Sequence, residues 1–312
     1  MNNSWFFYLL SLIFTNLHSM SSEASEFKLG DEIIPSFQFV ELTLDPTLGK
    51  YSGKTKIDIN IAKPRQNIQL YSKSLNITSV AITQGKTKRF LDVGKTNNFD
   101  IITLLSKDTL TQGPHQLTLS FEGNYNGSGT GLYKVIENNE IYLFTQFQAM
   151  LARSVFPSFD QPNFKIPFQF KINVPKGYLA LSNTPQKEKS SSENWETYVF
   201  EPTPAIYTDV LALSVGKFDS IDVPNMPVPS KLYVVKGKLN QTNYALRHIG
   251  KIFREVESFF NIQYPYKKMD IVAVPKFTNA AMENLGLIYF KEDIRQTLIN
   301  TGVNPNFCSH NG

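Results

Sequence analysis

A chain of 312 residues with 41% hydrophobic and 19% charged residues has room for one to three core-forming domains, and this composition excludes a disordered or collagenous chain. The formal charge of +4 is small and the Lys and Arg are scattered, so neither a nucleic-acid-binding stripe nor a basic amphipathic membrane helix is present. A single cysteine, Cys308, excludes an intrachain disulfide and a thiolate metal site.

Residues 5–14 form an uncharged apolar run, well short of the roughly 20 apolar residues that a membrane helix needs. Small residues follow at Ser19, Ser21, Ser22 and Ala24. Residues 1–22 therefore read as an export signal, although no Lys or Arg precedes the apolar run. The product is expected to be exported, periplasmic or secreted, from a bacterial source. No later stretch is long and apolar enough to span a membrane once the signal is removed. The sequons at Asn76, Asn126 and Asn240 are read as chance occurrences.

From 27 to 222 the text is that of strands. Ile57, Ile59 and Ile61 alternate with Lys56, Asp58 and Asn60, and Leu117, Leu119 and Phe121 alternate with Gln116, Thr118 and Ser120. Period two with a polar opposite face marks half-buried antiparallel strands. Further strands are expected at 37–44, 68–70, 101–105, 141–145, 168–174, 198–201 and 210–215. Turns are expected at Asp45-Pro46, at Gly113-Pro114 and over 124–129, and an exposed hairpin tip over 186–194. So much strand with so little helix predicts a mostly β fold, a sandwich or saddle of sheets.

Pro224, Pro227 and Pro229 mark a linker, and a mixed α/β segment follows. Strands are expected at 231–235, 269–274 and 285–290. The helix expected over 242–260 carries Ala245, Ile249, Ile252, Phe253, Val256, Phe259 and Phe260 on one face. Thr242 or Asn240 is the expected cap, and Tyr264-Pro265 the expected stop. This segment, 223–312, has too few elements to cover such a helix.

The histidines outside the leader, His115, His248 and His310, include no i, i+4 pair, so the sequence contains no H-E-x-x-H. His115 is expected in a turn. No G-x-S-x-G, P-loop or dinucleotide fingerprint occurs. Spacing alone names no catalytic residue and no metal ligand.

Two blocks carry more. Residues 260–291 include Tyr264-Pro265, Met269-Asp270, Val272-Ala273-Val274-Pro275 and then Ala280-Ala281-Met282-Glu283-Asn284-Leu285-Gly286-Leu287. Upstream stand Thr145-Gln146-Phe147-Gln148, the run from Ala152 and Arg153 to Phe164 and Lys165, Ser182-Asn183-Thr184-Pro185, and the stretch from Tyr207 to Phe218. In order and content these resemble the zinc aminopeptidase N family, relatives of leukotriene hydrolase, whose exopeptidase signature reads G-A-M-E-N-W-G-L.

The resemblance implies an N-terminal β-saddle domain over 27–222, then the start of a thermolysin-like α/β catalytic domain over 223–312, cut off before the zinc motif. It implies that Glu283 binds the free amine of a peptide substrate through a charge-assisted bond. Ala280 and Ala281 would pair with the substrate main chain from an edge strand, next to Met282 and Asn284. Gln146, Gln148 and Asn279 would line the pocket for the amine and the first side chain. The family cofactor is zinc, but none is expected for this chain alone, which is therefore expected to be inactive. Its partners would be peptides with a free N-terminus and a separate chain carrying the zinc lobe. The competing expectation is a non-enzymatic, exported peptide- or partner-binding module. Ala280 in place of Gly, Leu285 in place of Trp, and Gln148 where many relatives carry Glu are departures.

Overall fold

The computed structural model describes residues 27–292. The expected signal over 1–22, Cys308, His310 and the tail lie outside them.

The long alternating segments form the backbone of an eight-stranded sheet. Its strands run in space as Gln186–Ser191, Trp195–Phe200, Phe168–Pro175, Ile33–Thr43, Lys50–Ile61, Gly113–Asn124, Asn76–Gln84 and Thr87–Phe90. Pairing is antiparallel except between Ile33–Thr43 and Phe168–Pro175. One face of this sheet is apolar along its length, because strand side chains alternate between faces. At one end it packs Val40, Leu42, Phe170 and Ile172 against a four-stranded sheet of Leu179–Ser182, Leu213–Gly216, Glu140–Gln146 and Gly131–Glu137. At the other end Ile57, Ile59, Leu117 and Leu119 meet a three-stranded sheet of Arg65–Tyr71, Ile101–Leu110 and Asp92–Val93.

A five-stranded sheet follows, ordered Phe218–Asp222, Lys231–Val235, Asp270–Val274, Leu287–Lys291 and Ala281–Met282. The hairpin Phe218–Asp222/Lys231–Val235 straddles position 222 and belongs wholly to this sheet. Lys231–Val235 pairs in parallel with Asp270–Val274, and the helix Asn243–Phe260 makes the crossover such a pair requires. Tyr233, Val235, Val272, Val274 and Tyr289 pack on Tyr133, Tyr142 and Phe144 of the four-stranded sheet. The opposite face takes Leu246, Ile249 and Phe253 of the helix. The four-stranded sheet is thus covered on both sides, and it ties the β-domain to the mixed segment.

Three local expectations are corrected. His115 is not in a turn: it lies in Gly113–Asn124, 5% exposed, with Nδ1 3.0 Å from the Gly113 carbonyl. Thr242 precedes the helix but caps no helical N–H, since its hydroxyl donates back to the Leu239 carbonyl at 2.7 Å. The helix ends before Tyr264, where Asn261 turns left-handed (φ 51°) and its N–H closes on the Glu257 and Ser258 carbonyls. Among the described residues no helix is long and apolar enough to cross a membrane.

Candidate amine-binding site

The signature residues converge where the four- and five-stranded sheets meet. Ala281–Met282 is the terminal strand of the five-stranded sheet, with Ala281 opposite Phe290 and Met282 opposite Tyr289. The Lys291 N–H donates to the Ala280 carbonyl at 2.9 Å, extending that pairing by one residue. The other side of Ala281–Met282 bears no strand among the described residues, so its main chain offers an edge for an extended peptide. Ala280 and Ala281 are exposed and Asn279 is half-buried at the approach to that edge.

Met282 faces inward and is buried. Its sulfur lies 3.7 Å from Nε2 of Gln146, the last residue of Glu140–Gln146, which joins signature and β-domain directly. Gln148, two residues on, is exposed, and no side-chain bond links it to Glu283. The structure therefore brings Gln146 to the signature, and Gln148 stands exposed two residues beyond it.

Glu283 follows Met282 and is exposed. It lines a cleft of about 410 Å³ with Asn284 and Leu285 on one side and Lys165, Tyr207 and Val210 of the β-domain opposite. Its charge is felt across this cleft: burial, followed by the Asp160 and Glu283 carboxylates, pushes the Asp209 carboxyl up, against the pull of nearby backbone N–H groups. Two side-chain atoms here are buried without a partner, Oε1 of Gln146 and Nδ2 of Asn284. Buried polar atoms are nearly always paired, so each orphan calls for an explanation such as strain, a functional role, or a water or ion.

Sequence reasoning gave no site role to three contributors. Asn183 holds the Leu285 carbonyl at 2.7 Å, and Lys268 holds the Gly286 carbonyl at 2.8 Å. Asp270 pairs with Lys268 at 2.8 Å. A lysine and an aspartate two apart at the start of a strand share one face, and that spacing was the available signal.

No group of three or more His, Cys, Asp or Glu suited to a metal occurs among the described residues. His115 is buried in the β-domain, and His248 lies on the exposed side of the helix with its ring 4.6 Å from that of Tyr244. These residues do not fit a zinc ion.

Residues 34–209 match the Peptidase M1 N-terminal domain, and residues 244–301 match the Peptidase family M1 domain. Aminopeptidase M1-D of Oryza sativa subsp. japonica is 31% identical over 284 residues, covering 88% of this chain and 32% of the relative. Endoplasmic reticulum aminopeptidase 1 of Homo sapiens is 30% identical over 280 residues, covering 86% of this chain and 30% of the relative. Human glutamyl aminopeptidase is 30% identical over 287 residues, covering 87% and 30%. The chain spans about a third of the length of the curated relatives it matches.

Proposed function

Since this chain belongs to the M1 peptidase family, carrying its N-terminal domain and the start of its catalytic domain, we propose that it forms the amine-recognising part of an aminopeptidase site. The observation that carries this is the position of Glu283. It is an exposed carboxylate at the end of an open edge strand, on a cleft walled by the β-domain. A peptide laid along 280–281 as a further strand would bring its terminal ammonium to that carboxylate, and the wall behind would stop it from threading further. Asn284, which lines the same cleft, carries an unpaired donor, Nδ2.

M1 enzymes are zinc-dependent, and the sequence has no H-E-x-x-H. The residues of this chain hold an amine but supply neither a metal-activated water nor a base beside it. Hydrolysis in our reading belongs to a site completed by a zinc lobe, in the setting of exported peptides.

The test is a titration of the chain with leucinamide and with N-acetyl-leucinamide, followed by NMR. Only the free amine should bind. Glu283 is solvent-exposed, so its ion pair is worth about 1 kcal/mol, and Glu283→Ala should weaken leucinamide about fivefold. Equal binding of blocked and free amines would refute the site. Stoichiometric zinc with chelator-sensitive hydrolysis of an aminoacyl anilide would refute the division of labour.

A further inference from the structure

Glu283 stands at the head of a short loop, 283–286, between the edge strand Ala281–Met282 and Leu287–Lys291. What holds that loop comes largely from the other domain. Asn183 follows Leu179–Ser182 of the β-domain and is 2% exposed. Its Nδ2 donates to the Leu285 carbonyl at 2.7 Å and to the Val210 carbonyl at 2.9 Å. Its Oδ1 accepts the Ala212 N–H at 2.8 Å. The Leu285 N–H donates to the same Val210 carbonyl at 3.2 Å. Two donors and one acceptor in a plane are what a primary amide offers, and all three are used. A carboxylate would lose both donations, and an apolar side chain would strand the Leu285 carbonyl and the Ala212 N–H.

The far end of the loop is fixed too. Lys268 Nζ and the Asp270 N–H, 2.8 and 3.1 Å away, both donate to the Gly286 carbonyl. Gly286 sits at φ 66°, and a Cβ there would run into the Asn183 carbonyl. The loop is therefore pressed directly against Asn183, and only glycine permits that approach.

We infer that Asn183 is a positioning residue for the amine site: it touches no ammonium, but it fixes the loop that presents Glu283, so the β-domain sets the site's affinity from across the domain junction. This inference rests on the amine-binding reading of Glu283.

The experiment compares Asn183→Ala, Asn183→Asp and Val174→Ala in the full chain. The third thins the β-domain core without touching the loop. Amide hydrogen exchange at Leu285 and Leu287 and leucinamide affinity are both read. In Asn183→Ala, exchange at these two amides should rise tenfold or more beyond its value in Val174→Ala, while strand amides such as Leu143 move alike in both. Affinity should fall about fivefold, as in Glu283→Ala. Asn183→Asp keeps the acceptor for Ala212 and provides the same reading should the alanine variant not fold. Exchange at Leu285 and Leu287 no faster than in Val174→Ala overturns the inference. So does faster exchange with unchanged affinity where Glu283→Ala has lost it. If the unmutated chain binds no leucinamide, the reading of Glu283 falls instead, and the exchange data alone decide whether Asn183 holds the loop.

Discussion

Asp209 shows how single carboxylates near the cleft are strained by their surroundings. Its Oδ1 is buried with no partner, and burial pushes its carboxyl up, with the Asp160 and Glu283 charges adding to the effect. A carboxyl raised on folding binds its proton more tightly in the native state. The associated stability is full below the ordinary aspartate range and is lost as the pH rises through the folded value. Asp209→Asn should therefore raise the melting temperature at pH 7, and the gain should vanish below about pH 3.8, the usual carboxyl value. Thermal melts at the two pH values check this, and an equal gain at both would contradict it. Asp160, unlike Asp209, has partners for both carboxylate oxygens. It is 1% exposed and accepts Nε of Arg153 at 2.9 Å, the Arg153 backbone N–H at 3.1 Å and the Thr208 hydroxyl. The guanidinium also lies 3.6 Å from the centre of the Tyr71 ring. Asp160→Ala would leave a buried cation without its counter-charge, a loss of about 3–5 kcal/mol. Urea denaturation should show it, and Arg153→Met added to Asp160→Ala should recover part.

At the scale of elements the helix Asn243–Phe260 divides its apolar residues. Ala245, Leu246, Ile249 and Phe253 pack on the five-stranded sheet, whereas Ile252, Val256, Phe259 and Phe260 are exposed, Phe259 by 83%. With Ile262 they make an uncovered stripe, and a contiguous patch of this kind promotes association. Phe259→Ser with Phe260→Ser should lower both the fluorescence of a bound hydrophobic dye and light scattering, with little change in unfolding midpoint. An unchanged dye signal would show that the stripe is not what associates. Elements with one wet face were legible in the sequence. Lys50–Ile61 and Gly113–Asn124 pair over their whole length, and their alternation was plain. Gly131–Glu137 was not seen, because apolar residues stand on both faces: Tyr133 and Val135 on one, Leu132 and the exposed Ile136 on the other, where only Lys134 is polar. Asn76–Gln84 was hidden by the irregularity between Ile77 and Ser79, which breaks the period of two. At the candidate site, the motifs named Glu283 and Gln146, which the fold places on the cleft and beside Met282 respectively. The role of Asn183 was not, because it depends on backbone groups up to 102 residues away in sequence.

At the scale of the whole molecule the β-domain and the mixed segment share an ionic clasp. Lys238 Nζ lies 2.8 Å from Glu137, at the end of Gly131–Glu137, and 2.7 Å from Glu292, beyond Leu287–Lys291. Burial pulls this ammonium down, but the two carboxylates more than offset it, and the net shift is upward. A lysine raised on folding contributes stability below its unfolded value of 10.5 and loses it as the pH rises through the folded value. Lys238→Met should therefore flatten the stability–pH curve above about pH 10, as measured by urea midpoints. A curve of unchanged shape would show that the clasp adds nothing.

The parallel pairing of Ile33–Thr43 with Phe168–Pro175 has a consequence for how the chain reaches this state. Thr43 and its partner Asn173 are 130 residues apart, and the strands between them build half of the eight-stranded sheet. On a ribosome adding about 5–20 residues each second, the first strand can zip to Lys50–Ile61 almost at once. Its other edge then waits many seconds, unpaired, for a partner not yet made. Closing so long a loop is slow, and a bare edge is what neighbouring nascent chains can pair with. The interval before residue 175 emerges is thus the window in which a holding chaperone would decide the yield of folded protein.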